Sequence, residues 1–354
     1  MRNSIPTNID IISVLRLPLI VGVVFIHSLS MTHGVYLVYD FFYDALTEII
    51  CETCVPLFFF FSGYLFFQNV KSFDFDVFKQ KLSRRVKSLL IPYLFWNIFV
   101  VVIIGAGQML APSLFTGAFK RVVDFTVNDW LSIFYCALGS TQPIAYQLWF
   151  LRNLMVMILL TPLIYYLCKY LNYWWLIVLV VLPKFGIDGM FPGLNLFSLS
   201  FFAAGCWFGI YKCSFIIKPI NIRFIIAIAF LLFYGTEIFL HLRGITHGGF
   251  HKISVMMGCF AIIQFVSLII QNKDSSRFFY MKPMINNSTF FIYCYHGIFA
   301  SFLAGTLSKY VTCDAFAVLA YIMIVLALVL FGVFAYNLLL KTLPGFTRVI
   351  TGGR

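Results

Sequence analysis

The sequence predicts an all-α integral membrane protein, a polytopic helical bundle of about ten transmembrane helices with both termini cytoplasmic. Three observations predict it. Of 354 residues, 62% are hydrophobic and only 11% charged, too little polar surface to coat a water-soluble globule. The apolar residues fall in runs close to 20 long, the length that carries a helix across the hydrocarbon core. Lys and Arg gather in alternate connections, as they do where cytoplasmic loops hold the positive charge.

The first run, ISVLRLPLIVGVVFIHS at residues 12–28, carries Arg16 and His27. Arg16 interrupts its apolar core, Arg2 is the one basic side chain ahead of it, and no small-x-small cleavage site follows, so it reads as a retained helix near 9–30 rather than a signal peptide. Further helices are predicted near 45–67, 88–106, 148–167, 174–187, 196–211, 222–241, 252–271, 289–308 and 315–340. Between them, 107–147 is long and mixed, and DWLSIFYCALGS within it reads as an interfacial or re-entrant helix covering one mouth of the bundle. No repeat, low-complexity tract or appended soluble domain is visible, so residues 1–354 read as a single transmembrane domain.

With the amino end inside, only Lys120, Arg121, Lys184, Arg243, Lys252 and Lys309 fall in outer segments, and the inner segments hold most of the remaining basic residues. Arg16 and Arg152 sit within spans, where an ionisable group is a functional candidate by default. Cys168, Cys206, Cys259 and Cys294 lie in or at the ends of apolar runs, where a thiol packs as a small hydrophobe. Cys51 and Cys54 form a lone C-x-x-C with no second pair, and no metal is predicted.

Eleven residues at 100° each make three turns plus about 20°, so Arg16 and His27 share a helix face roughly 16 Å apart along the axis. A neutral imidazole in a low-dielectric site accepts a proton from a hydroxyl. A guanidinium suits an anion or a polarised carbonyl. On this helix alone a structural reading stands beside the catalytic one: His27 as a hydrogen-bonding residue, Arg16 reaching to the inner headgroups.

The rest of the chain shifts that balance. RLPLIVGVVFIH, VPLFFFFSGYLFF, YQLWFLRNLMVMILLTP and FFIYCYHGIF occur in an order, from residue 10 to about 300, that resembles the acyltransferase 3 family of integral membrane acyltransferases. The resemblance implies transfer of an acyl group, commonly acetyl from acetyl-CoA, to a hydroxyl of a glycan or other envelope molecule. It places the family histidine, proposed to be catalytic, on His27 and the family arginine on Arg16. It also implies an acyl-donor patch between the second and third helices. KQKLSRRVKSLLIPY stands there with altered spacing, and Arg84, Arg85 and Lys87 are the candidates for binding the donor. These charges also precede the predicted third helix, whose N-terminal amides and dipole would favour phosphates, although a basic anchor on anionic lipid uses the same residues.

Glu52 shares a helix face with Glu48 and is a candidate partner for Arg16 or Arg152. Trp149 and Tyr146 beside Arg152 offer an aromatic platform, and Glu52, Trp149 and Arg152 are the expected substrate contacts, though aromatic residues at helix ends also anchor at the interface. His296 reads mainly as a core residue. His241, His247 and His251 form a loop cluster with too few visible ligands for zinc. The preferred function is a multi-pass enzyme of a bacterial inner membrane taking acetyl-CoA and a glycan or lipid-linked sugar, with lipid neighbours and no nucleic acid. The alternative is a transporter or flippase of a lipid-linked sugar or acyl group, which would more often show paired repeats and broken helices.

Overall fold

The computed structural model describes residues 6–28, 34–112, 120–185, 187, 189–245, 248–271 and 283–353. Lys273, Arg277 and Lys282, expected inside, and His247, expected outside, lie outside these described residues. The described helices are α1 (Asn8–Ile26), α2 (Leu37–Phe67), α3 (Phe75–Leu110), α4 (Val127–Ser132), α5 (Trp149–Leu159), α6 (Thr161–Leu171) and α7 (Trp174–Val181). A short antiparallel hairpin, β1 (Gly189–Phe191) and β2 (Leu194–Asn195), leads into α8 (Leu196–Ile210). The chain continues through α9 (Ile220–Leu242), α10 (Gly248–Gln271), α11 (Pro283–Leu307), α12 (Asp314–Thr342) and α13 (Pro344–Ile350).

The protein is all-α, apart from that hairpin, and seven of its described helices are long and apolar enough to cross a membrane, or eight if the bent pair α5–α6 is one span. The sequence predicts about ten. The difference has local causes. The run at 174–187 is helical in the α sense only over the eight residues of α7, about 12 Å of rise against a core of about 30 Å. The run at 196–211 yields a 15-residue helix, and that at 148–167 is bent by 60° at Leu160. Pro162, the second residue of α6, has no N–H to offer the turn before it, which suits it to a helix start. Between Leu110 and residue 147, Val127–Ser132 is the one α-helix among the described residues, closed by a capping box in which Thr126 and Asp129 exchange backbone bonds. Lys120 Nζ lies 2.7 Å from the Asp129 carboxylate, which is held down at about 2 by that ammonium first and by Thr126 second.

Two compact units make up the chain. The first comprises Met1–Val70, Phe201–Tyr293 and Phe299–Phe334, the second Lys71–Ser200, Cys294–Ile298 and Ala335–Arg354. In the first, α2 and α8 cross backbone to backbone. A Cβ on Gly63 would stand 2.1 Å from the Phe202 carbonyl oxygen, and one on Gly205 1.9 Å from that of Phe60. Small residues allow this approach where helices gain nothing from hydrophobic exclusion of water. The amino end of α2 has no side-chain cap of its own. Asp314, at the start of α12, accepts from Val38 N at 2.8 Å and Tyr39 N at 3.1 Å, which carries the helix eight residues ahead of the predicted start.

In the second unit α3 runs unbroken from Phe75 to Leu110 through a π-helical turn at Val86–Leu90. Pro92 lies just past that turn and cannot donate to Ser88 O, the carbonyl four residues back. Gly352, at φ +70°, packs so closely on that carbonyl that a Cβ would lie 2.3 Å from it. Trp96 Nε1 donates to Ile350 O at 3.0 Å, so the last helix is pinned to the same face of α3.

Gly205→Val is expected to abolish the monodisperse folded protein on detergent size-exclusion chromatography, because the obstacle is the Phe60 backbone and cannot rotate away. Gly235→Val, where a Cβ meets nothing within 4 Å, is expected to behave as wild type.

Candidate active site

The first helix sets the frame. Thr7 caps α1, its hydroxyl accepting from Asp10 N at 3.3 Å while the Asp10 carboxylate accepts from Thr7 N at 2.8 Å. Leu15, Leu17, Leu19 and Ile20 are buried, whereas Arg16 is exposed among them. Pro18 lacks an N–H and so leaves Val14 O, half a turn before Arg16, without its helical donor. One turn back, Asn286 Nδ2 donates to Ser13 O at 3.3 Å. Asn286 lies in the first turn of α11, and its Oδ1 is buried with no partner among the described residues.

His27 is not inside the helix, as a span over 9–30 predicts; α1 ends at Ile26 and His27 is its half-buried C-terminal cap. The last carbonyls of a helix need donors from elsewhere. Ser28 supplies two, its hydroxyl to Val24 O at 2.7 Å and its N–H to Phe25 O at 3.1 Å. Tyr321 supplies the third, its hydroxyl donating to Phe25 O at 2.9 Å. The same hydroxyl lies in close hydrogen-bond contact with Thr47. Fully buried, Tyr321 is ringed by Phe25, Tyr39, Phe42 and Tyr43. This residue ties the terminus that carries His27 to α2 and α12, and nothing in its own apolar run marks it out.

The basic stretch lies in the second unit. Arg84 and Lys87 are exposed and Arg85 is half-buried. They do not precede a helix, because α3 is continuous through them, and the backbone amides that the sequence reading assigns to phosphate binding are engaged in helical bonds. The true N-terminus is at Asp74, whose side chain accepts from Val77 N at 2.8 Å. What remains is a side-chain array: Lys81 lies within electrostatic reach of both Arg84 and Arg85. Like charges gathered on one helix face favour an anion.

Arg152 has a different role. Its guanidinium donates to Asn153 Oδ1 at 3.1 Å, to Tyr135 O at 2.6 Å and to Thr141 O at 2.8 Å, and it lies over the Tyr135 ring at 5.2 Å. It holds the irregular chain between α4 and α5 by two backbone carbonyls and is itself braced by Asn153 within α5, and no carboxylate is among these partners. Trp149, half-buried, begins α5. Next to it, Gln147 Nε2 donates to Cys294 O at 2.7 Å and Tyr146 donates to Gly297 O at 3.2 Å, so the Leu-Trp-Phe-Leu and Tyr-x-x-His stretches meet around the fully buried His296. Glu52, read from the sequence as a partner of Arg16 or Arg152, lies within electrostatic reach of His251 and Glu48.

Long apolar helices, an arginine and a histidine on the first of them, and a cationic face on the third define a polytopic membrane protein with polar chemistry set into its helices. The acyltransferase domain profile of the acyltransferase 3 family matches residues 9–338, and the chain belongs to that family. It is also similar to the succinoglycan biosynthesis protein ExoH of Rhizobium meliloti (strain 1021), 32% identical over 158 residues. That match spans 43% of this chain and 41% of the relative's length. No solved structure matches.

Tyr321→Phe is expected to leave Phe25 O and Thr47 one partner short, costing about 1–3 kcal/mol, and to lower the melting temperature of the purified protein by a few degrees. An unchanged melting temperature would show that the Tyr321 hydroxyl does not hold the end of α1.

Proposed function

We propose that the protein is an O-acyltransferase that moves an acetyl or other short acyl group from acyl-CoA to a hydroxyl of a cell-envelope glycan, with His27 as general base. The observation that carries this is His27 held at a built helix terminus in a family of acyltransferases. The similarity to a succinoglycan biosynthesis protein supports a glycan acceptor. For the transport alternative, the bent pair α5–α6 is one broken span among the described residues, without the second that paired repeats would supply.

His27 takes the acceptor's hydroxyl proton as the oxygen attacks the thioester carbonyl; the tetrahedral adduct collapses to the ester as the C–S bond breaks, and the proton passes from the imidazolium to the departing coenzyme A thiolate. Arg16 lies about 16 Å away along the helix, too far to stabilise the oxyanion of that step, so it is assigned to an anionic part of a substrate. Coenzyme A carries a 3′-phosphate and a pyrophosphate, and Arg84, Arg85 and Lys87 would hold them by charge-assisted bonds. Trp149 is proposed as an aromatic contact for the acceptor. The inner membrane of a bacterium, with both termini cytoplasmic, places this patch in the acyl-CoA pool.

Two results test the reading. His27→Ala is expected to abolish acylation of the glycan while the protein stays inserted and folded, and near-normal acylation by that variant would sink the base assignment. For the donor site, Arg84→Gln, Arg85→Gln and Lys87→Gln are each expected to weaken acetyl-CoA binding in nanodiscs by about 1.5–3 kcal/mol, roughly tenfold to a hundredfold. A lipid anchor predicts no change.

A further inference from the structure

The sequence contains only three glutamates, Glu48, Glu52 and Glu237. In a chain this poor in charge they would be expected to scatter over loops. All three instead lie in one cluster of the first unit, with Asp44, His241 and His251. Asp44 and Glu48 stand on the π-helical turn Asp44–Ile50 within α2, an irregularity found disproportionately at functional sites. Glu237 and His241 stand one turn apart near the end of α9, and His251 near the start of α10.

We infer that Asp44, Glu48 and His241 form a binding site for a divalent transition-metal cation, with zinc the best match. The geometry carries it. One carboxylate oxygen of Asp44, one of Glu48 and a ring nitrogen of His241 all lie within 4.8 Å of one another. His241 Nε2 is 3.0 Å from Asp44 Oδ2. Two atoms at that separation, each about 2.1 Å from a cation, subtend roughly 90° at it, an angle open to five- or six-coordinate sites. Two carboxylates and an imidazole suit zinc or manganese, whereas calcium and magnesium prefer oxygen alone and copper(I) prefers sulfur. Three protein ligands leave positions for water or a substrate oxygen.

The surroundings support a cation. His251 Nδ1 lies 2.5 Å from Glu237 Oε1, while Glu237 Oε2 is buried without a partner among the described residues. Glu52 and Glu48 both act on His251 electrostatically. Here Asp44, Glu48, Glu52 and Glu237 put four carboxyl groups in excess of two imidazoles at one helix end. Of the nearby basic groups, Arg243 lies over the Phe239 ring at 5.3 Å, and Lys252 follows His251 on α10. A bound cation would offset the excess and clamp the end of α9 to α2. Thr47, between two of the ligands, is the residue joined through Tyr321 to the His27 terminus, so the clamp would brace the proposed base as well. The site does not rest on the proposed transfer reaction.

Purified protein, stripped with chelator and returned to zinc, is expected to bind one equivalent per chain by isothermal calorimetry and elemental analysis. His241→Gln and Asp44→Asn should weaken binding by about 100-fold or more, and Glu237→Gln, which removes an outer-shell charge, by roughly 10–100-fold. Asp129→Asn, outside the cluster, should leave binding unchanged. Cobalt(II) titrated into the wild type provides a readout that needs no variant to fold: weak visible bands of nitrogen and oxygen ligation are expected. Absence of saturable binding, binding that survives His241→Gln with Asp44→Asn, or an intense thiolate-to-cobalt band pointing to Cys51, Cys54 or Cys259 would each overturn the site.

Discussion

In the hydrocarbon of a bilayer there is no water to satisfy a hydrogen-bonding group, so each donor and acceptor must find its partner within the protein. That constraint shapes this molecule from its smallest contacts upward. Hydroxyls in the helices and at their ends turn back onto the preceding turn: Ser28 to Val24 O, Thr53 to Ile50 O, Thr161 to Ile158 O, Ser267 to Gln264 O and Thr351 to Thr347 O. Where a helix begins or ends, the donor or acceptor comes from a remote segment. Asp314 caps α2, Tyr321 closes α1, and Gln264 reaches both Phe215 O and Ile217 N in the connection between α8 and α9.

The same constraint separates structural charges from those available for chemistry. Arg223 is buried yet bonded to Ile217 O and to Gln271, and Arg152 is bonded to two carbonyls and an amide. Both guanidiniums have their donors engaged in holding irregular chain, a neutral arrangement that avoids pairing buried ions. Arg16 is placed differently, exposed between buried leucines and next to a proline-freed carbonyl. The Lys81, Arg84 and Arg85 face and the Glu and His cluster each concentrate one sign of charge. Concentrations of one sign repel, and they are the places where an ion of the opposite sign gains most.

Packing obeys the constraint as well. Helices in lipid gain no hydrophobic advantage from touching, so close approach depends on small residues. The Ser-Gly-Tyr stretch after the phenylalanine run in α2 owes its sense to this: Gly63 admits the backbone of α8 at Phe202, and Gly205 admits α2 at Phe60. Likewise Gly297 admits the Gln147 side chain, which brings two of the stretches shared with the family together.

Composition and the length of the apolar runs by themselves determined the class, because the transfer of side chains into hydrocarbon is a property of each run and needs no neighbour. The order of short motifs pointed to the family. Tertiary structure decided the rest. Helix ends depended on partners far along the chain: α2 starts early because of Asp314, and α1 stops at His27 where Tyr321 and Ser28 take its carbonyls. The supposed third-helix N-terminus vanished because a π-turn absorbs Pro92 without a break. The gathering of glutamates and histidines was not legible because Asp44 and His241 are 197 residues apart in sequence yet 3.0 Å apart in space. Such pairings belong to the packing of helices, and no local pattern encodes them.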